Sequence, residues 1–402
     1  MTVVAERTLE DRVAAVLPVL HDEGREIDET AEFPVRGLAA LRESGLMGLL
    51  VPEADGGLGG GLDELVQVSM ELAGECLSTA LVWGMHCQQV AAIVGHVGPE
   101  LKERLLPRIG AGEVYVASVT SEKGKGGHLL SAEAPLRREN GRLVLERDAP
   151  IVTGALQADG FLVTMRDDES APPNAVTLVY ADRDDLEIET AGSWNPMGMR
   201  GTHSVAVKLA GRLPEANVVG RPGEFKTVAT RSFIPAGHIA WAACWLGAAR
   251  AATRAVVELL RSPSGRKQFD VESETLRTRL ARVRVDLDAM AALLAQVVRD
   301  AQSEDDPERP PVQLRLNALK IFSSERSFAA VDELIQLVGL RYGYIRSAPF
   351  PLERLFRDLR SASLNYANDR LLTANGALAL LDREVALATS AGRQEGRDGP
   401  AQ

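Results

Sequence analysis

Ser118-Val119-Thr120-Ser121-Glu122-Lys123-Gly124-Lys125-Gly126-Gly127-His128 leaves a β-branched segment and enters a glycine-rich loop. Glycine supplies clearance and unusual dihedrals, so the backbone N–H groups of such a loop can approach a phosphate closely. It is not a Walker loop, because no Gly-Lys-Ser/Thr opens a helix. Far along the chain, Arg266-Lys267-Gln268-Phe269 sets a planar, permanently charged fork beside an aromatic ring, a second group suited to phosphate. Metal chemistry finds no support: Cys76, Cys87 and Cys244 are scattered on apolar segments without Cys-x-x-Cys or Cys/His spacing and read as buried free thiols.

The elements that must position these groups fall into three textures. Leu9, Val13, Val16 and Leu20 step by four, three and four, which predicts an amphipathic helix. A second short helix follows Phe33-Pro34, the glycines from Gly56 to Gly61 read as a turn, and helices continue over residues 62 to 108. From Glu113 alternation and β-branched runs take over, at Val114–Val119, Leu143–Leu145, Phe161–Thr164, Val176–Tyr180 and His203–Leu209. Helical period returns after Gly223. Residues 234 to 261 are apolar on nearly all sides, and Leu276, Leu280, Val283, Leu287, Met290, Leu294 and Val297 keep a three/four spacing. Another long helix carries Ile321, Phe328, Val331, Ile335 and Val338, and a last one spans Leu371 to Leu381. The predicted fold is α+β: an N-terminal helical domain (1–112), a middle antiparallel β domain, sheet or barrel (113–222), a C-terminal four-helix bundle (223–388), and a disordered tail (389–402).

Of the 402 residues 45% are hydrophobic and 25% charged, ordinary for a globular chain. A formal net charge of −11 disfavours nucleic-acid and anionic-membrane partners, which need a basic field. No cleavable leader pattern and no apolar run of membrane-spanning length occurs, so the expectation is a cytoplasmic protein.

Pro351-Leu352-Glu353-Arg354-Leu355-Phe356-Arg357-Asp358 resembles the last helical motif of the acyl-CoA dehydrogenase superfamily of flavoproteins, and the order of the three domains resembles that family over roughly residues 5 to 385. Its Thr-Glu-Pro-x-x-Gly-Ser-Asp signature falls on Ser121, Glu122, Gly126 and Gly127, with Lys123 in place of proline and His128 in place of aspartate. Twenty-five residues on, Ile151-Val152-Thr153-Gly154 resembles the segment that lines the flavin ring; Thr153 matches, and Ile151 replaces the usual aromatic. Arg266 and Phe269 match the family's Arg-x-x-Phe, which reaches the pyrophosphate and adenine from a neighbouring subunit. Gln336 and Gly339 match Gln-x-x-Gly-Gly, with Leu340 at the second glycine. The resemblance implies FAD as cofactor and a homotetramer, a dimer of dimers, that shares its cofactor sites.

The reaction is less plainly written. Desaturation of an acyl thioester needs a carboxylate to take the α-proton, and the family supplies a glutamate from one of two places. Tyr366 holds the first, with no acid from Leu359 to Asn368, and no Asp or Glu occurs between Phe225 and Gly247, which covers the second. His238, at the start of the central bundle helix, and Asp369, one turn past Asn365, are replacements to weigh. Sibling monooxygenases of the same fold lack the glutamate and carry histidines at two other places. His86 after Trp83 matches one, Asn365 stands at the other, and Trp194-Asn195-Pro196-Met197-Gly198-Met199-Arg200-Gly201-Thr202 resembles their Trp-x-x-x-Gly-Met-Arg-x-Thr. A lone histidine on an apolar helix is, on its own, ordinarily a satisfied core residue. Tyr366, Asn365, His86 and His238 are therefore the catalytic candidates. The expected activity is α,β-dehydrogenation of an atypical acyl thioester, bound to coenzyme A or to a carrier protein. The alternative is a monooxygenase that activates oxygen at flavin C4a, and the third reading is a non-redox scaffold.

Overall fold

The computed structural model describes residues 7–124, 128–303, 306–382 and 385. The expected tail from residue 389 lies outside them. Among the described residues five α-helices come first: α1 (Leu9–Thr30), α2 (Val35–Glu43), α3 (Leu62–Glu75), α4 (Leu77–His96) and α5 (Pro99–Gly110). Thr8 caps α1 through a reciprocal box with Asp11, and Val13, Val16 and Leu20 are buried as their spacing predicts. The glycine run between α2 and α3 is a packed turn: a Cβ on Gly57 would lie 2.2 Å from the Val51 carbonyl oxygen.

Among the described residues eight strands follow: β1 (Val116–Val119), β2 (Arg137–Glu139), β3 (Arg142–Thr153), β4 (Gly160–Arg166), β5 (Val176–Asp182), β6 (Leu186–Ala191), β7 (Ser204–Pro214) and β8 (Val218–Val219). They form two four-stranded sheets, β1-β4-β5-β8 and β2-β3-β7-β6, neither closed into a barrel. The first sheet is mixed, because β1 runs parallel to β4 while β5 and β8 are antiparallel. That corrects the all-antiparallel expectation: the chain crosses to the other sheet between β1 and β4, and alternation within a strand carries no information about its neighbour's direction.

The C-terminal part comprises α6 (Phe225–Val228), a π-helical turn (Ala229–Phe233), α7 (Ile234–Arg261), α8 (Gly265–Gln268), α9 (Glu274–Ser303), α10 (Pro310–Gly339), α11 (Leu352–Leu359) and α12 (Asn368–Ala379). Helices α7, α9, α10 and α12 make the bundle, and α7 is buried because α3 and α4 cover its remaining side. Gln88 on α4 donates to the Phe233 carbonyl (3.0 Å), supplying a partner at the π-turn where the regular ladder is interrupted.

Arg357 and Asp358 of α11 tie the three parts together. Arg357 grips both carboxylate oxygens of Asp28 on α1 (2.8 and 2.6 Å), Glu353 (2.8 Å) and the Met197 carbonyl (3.1 Å). Asp358 accepts the Met199 N–H at 2.5 Å. Met199 holds a left-handed φ of 55°, and a Cβ on Gly198 would sit 2.1 Å from the Arg357 carbonyl oxygen, so only glycine lets this loop reach α11. Arg200 returns to the end of α1, donating to the Asp28 carbonyl and, at 3.2 Å, to that of Glu29. The Trp194–Thr202 segment is thus the middle-domain half of an interdomain joint.

Candidate functional site

β1 hands the chain to the loop that begins at Thr120, and β3 ends beside it. Ser121 Oγ donates to the Ile151 carbonyl at 2.7 Å, fastening the loop to the strand end. The ladder of β3 shifts register between Ala149 and Val152, a bulge that turns Ile151 outward; its side chain is 56% exposed, an apolar face beside a polar loop. Thr153 Oγ1 shares a hydrogen bond with Ser204 Oγ (2.9 Å), which in turn meets Thr202 Oγ1 (3.0 Å). Gly126 and Gly127 lie outside the described residues.

Beneath the loop, Glu122 closes it. Its carboxylate accepts the N–H groups of Glu133 (2.9 Å) and Ala134 (2.7 Å) and pairs with Arg147 Nη1 (2.8 Å). Arg147, on an inward position of β3, donates from Nη2 to the Ser121 carbonyl (3.0 Å). Its side chain is wholly buried, so burial holds the guanidinium below its usual range while Glu122 works against that.

The second locus is the turn between α11 and α12. Tyr366 adopts a left-handed φ of 46°, and its ring packs on Trp241 of α7 with centroids 5.1 Å apart. Burial pushes its phenol up to about 12, and a hydrogen bond with the Thr120 side chain connects it to the loop after β1. Trp241 also contacts His238 (5.9 Å) and Trp245 (6.5 Å). His238 Nδ1, Trp241 Nε1 and Trp245 Nε1 are buried without a hydrogen-bond partner among the described residues. His238 hydrogen-bonds the Leu316 backbone, and burial, with Lys320 nearby, lowers its pKa to about 3, so it stands neutral in the site. Asn365 is exposed, its N–H bonded to the Ser361 carbonyl.

His86 stands apart from Tyr366. Its Nε2 meets the Met47 carbonyl (2.9 Å) and its Nδ1 accepts the Val116 N–H (3.1 Å), so both ring nitrogens serve to pin β1 to the N-terminal helices. Both nitrogens are thus engaged by backbone groups, and burial lowers its pKa to about 4.

Sequence reasoning passed over Thr120, Trp241, Arg147 and Lys320. The inward register Leu143, Leu145, Arg147, Ala149 announces a buried charge on β3. Trp241 and Thr120 carry no such signal, because what distinguishes them is contact with a residue more than a hundred positions away.

Of the cofactor candidates Arg266, Phe269, Gln336 and Gly339, the structure ties Phe269 to the turn that follows Gly339. Tyr342, just beyond Gly339, donates to Gln268 Oε1 (2.9 Å) and packs on Phe269 (5.9 Å). Arg266 is exposed; Gln336 accepts from Arg279 (2.9 Å) and donates to Asp332 (2.9 Å). Val271, Leu340, Tyr344 and Ile345 leave apolar surface open beside them. Among the described residues no cluster of His, Cys, Asp or Glu could hold a metal, and no helix is long and apolar enough to cross a membrane.

These buried groups fix an acid response. His86 and His238 have folded pKa values below the unfolded 6.5, so the stability they contribute is present above pH 6.5 and is lost as pH falls toward 4 and 3. Burial raises Asp358 to about 6, so its term has the opposite sign: favourable at low pH and lost as pH rises from 3.8 through 6. Near pH 5 the two histidines are offset by one aspartate, so the balance of these groups is a loss of stability as pH falls, on the order of 1 kcal/mol per pH unit. Asp358→Asn is expected to steepen the fall in stability between pH 6 and 4.5, measured as urea midpoints, because it removes the opposing term; an unchanged slope would refute the assignment.

The sequence model for the acyl-CoA dehydrogenase N-terminal domain matches residues 6–113, and that for the acyl-CoA dehydrogenase C-terminal domain matches residues 227–365. The chain is 29% identical over 390 residues to the L-evernosamine nitrososynthase of a Micromonospora species, covering 89% of this chain and 86% of that protein. It is 26% identical over 344 residues to the 3-(aryl)acrylate reductase of Clostridium sporogenes, with 83% and 87% covered. In three dimensions it resembles the crystal structure of FMN-bound TdsC from Paenibacillus sp. A11-2, with a TM-score of 0.81 at 20% identity over 94% of this chain and 98% of that one.

Proposed function

Because the chain belongs to the acyl-CoA dehydrogenase superfamily, we propose that it is a flavin-dependent oxidoreductase that turns reduced flavin toward oxygen, as a monooxygenase, in place of carboxylate-driven desaturation. The observation that carries this reading is Tyr366. Where the family places its glutamate base, this chain presents a phenol that keeps its proton up to about pH 12, set against Thr120 and Trp241. Such a group donates a hydrogen bond and is a poor base at neutral pH. The similarity to a nitrososynthase supports the same direction.

A flavin fits the residues present. The outward Ile151 offers an apolar face for the ring, Ser121 and Thr153 offer hydroxyls, and Arg147 with Glu122 holds the loop in place. Bound there, the flavin supplies two-electron chemistry. FAD is the form we propose, with Arg266, Phe269, Gln336 and Gly339 serving the cofactor of a second copy in a homotetramer. The unpartnered His238 Nδ1 and Trp241 and Trp245 N–H groups are buried together on α7, where Trp241 meets Tyr366.

A second reading is hydride chemistry on an activated acyl group, carried by coenzyme A or a carrier protein. It is favoured by the similarity to an acrylate reductase, since a phenol holding its proton suits an acid that protonates the α-carbon during reduction. Rapid mixing separates the two. Reduced protein mixed with aerated buffer is expected to give a transient absorbance unlike oxidised or reduced flavin, and Tyr366→Phe to shorten its lifetime. Direct reoxidation without a transient, together with anaerobic bleaching by acyl thioesters, would overturn the oxygen reading.

A further inference from the structure

We propose that Lys320 is a positioning residue that sets the Tyr366 turn, one ammonium fastening both ends of the segment from Ala362 to Asn368; as a statement about activity this rests on Tyr366 belonging to the site. Lys320 lies in the middle of α10 and is completely buried. Its Nζ donates to the Ala362 carbonyl (3.0 Å) and to Asn368 Oδ1 (2.8 Å), and stands 5.8 Å from the centroid of Trp245. Asn368 is itself oriented by Ser324 Oγ (3.0 Å) and Glu325 Oε1 (3.1 Å), both accepting from its Nδ2.

The segment needs such a fastening. Residues 362–367 lie outside any helix or strand, and their local support is a few turn bonds, Leu364 and Asn365 to the Ser361 carbonyl and Asn368 to that of Ser363. Tyr366 sits there at a φ of 46°, a region that costs a non-glycine residue about 1 kcal/mol or more and persists only where the surroundings over-determine it. The contacts with Trp241 and Thr120 fix the ring; Lys320 holds the Ala362 backbone before the turn and the Asn368 side chain after it. A buried ammonium held by neutral oxygens is a costly fastener, and burial lowers its pKa to about 7. An apolar side chain of similar length would fill the same space without that cost, so the amine is kept for the two bonds it donates.

The test is hydrogen exchange on the full-length flavin-bound protein, with oxygen kinetics on the same samples. In Lys320→Met, amides of residues 359–368 are expected to exchange roughly tenfold faster, with those of β1 and α9 unchanged. The oxygen transient should shorten as in Tyr366→Phe, and Lys320→Met/Tyr366→Phe should be no worse than either alone. If Lys320→Met does not fold, Asn368→Leu removes one of the two attachments and carries the same expectation. Wild-type exchange in the turn, acceleration spread evenly over the bundle, or additive kinetic losses would each overturn the proposal. Wild-type kinetics in Tyr366→Phe would instead overturn the oxygen reading, and the exchange data would still decide the role of Lys320.

Discussion

Glu122→Ala is expected to strip the protein of flavin. The Glu122–Arg147 pair is buried on both sides, with side chains 7% and 0% exposed, and removing the carboxylate leaves a guanidinium with no countercharge. Breaking one partner of a buried pair costs about 3–5 kcal/mol. The same change takes away the acceptor of the Glu133 and Ala134 N–H groups, which close the loop from Ser121. Two effects therefore separate in a double variant. Glu122→Ala/Arg147→Met removes both charges, so thermal stability should recover in part. Flavin affinity should stay at least about tenfold down, because the two N–H groups remain without their acceptor. Thermal midpoints of the apoprotein and a flavin fluorescence titration read the two effects independently. Full flavin retention in Glu122→Ala would show that the loop is held by other contacts.

What the sequence could and could not reveal follows from the range of the interactions involved. The stripe of α9 from Val283 to Val297 and that of α1 are buried as their spacing predicts, because periodicity is a local property that the helix only expresses. Strand β6 is different. Leu186-Glu187-Ile188-Glu189 alternates, yet it is a charged edge strand held on one side by β7, and its charge hides it among turn residues. The joint at Arg357 was legible as a marker but not as a joint, since Asp28 lies 329 positions away. His86 shows the converse case. Its place in a pattern pointed to chemistry, while the Met47 carbonyl and Val116 N–H that occupy its nitrogens could be seen only in three dimensions. Lys320 was hidden for another reason. It shares the inward stripe of Leu316, Ser324 and Ser327, where a lysine looks like an error until Ala362 and Asn368 are brought against it.

Tyr366→Glu is the substitution with the largest expected gain. It puts a carboxylate at the place where the family keeps its base, against Thr120 and Trp241. The backbone there is already left-handed for a non-glycine residue, so the new side chain adds no strain of its own. A positioned general base contributes roughly 10²- to 10⁴-fold, about 3–5 kcal/mol of barrier. Anaerobic bleaching of oxidised flavin by acyl-CoA thioesters should therefore rise by about two orders of magnitude or more over the parent, while the oxygen transient should shorten as in Tyr366→Phe. Tyr366→Gln, nearly the same shape as the glutamate without the charge, should shorten the transient likewise and gain no bleaching, which separates acid–base chemistry from a change of packing. Burial about this turn should raise the introduced carboxyl above the usual 4.3, so bleaching should climb with pH as that group ionises. A Tyr366→Glu protein that binds flavin normally and bleaches no faster with any thioester would mean that the pocket refuses acyl substrates as well as lacking their base. The divergence from the dehydrogenases would then lie in the walls formed by α7, and not in Tyr366 alone.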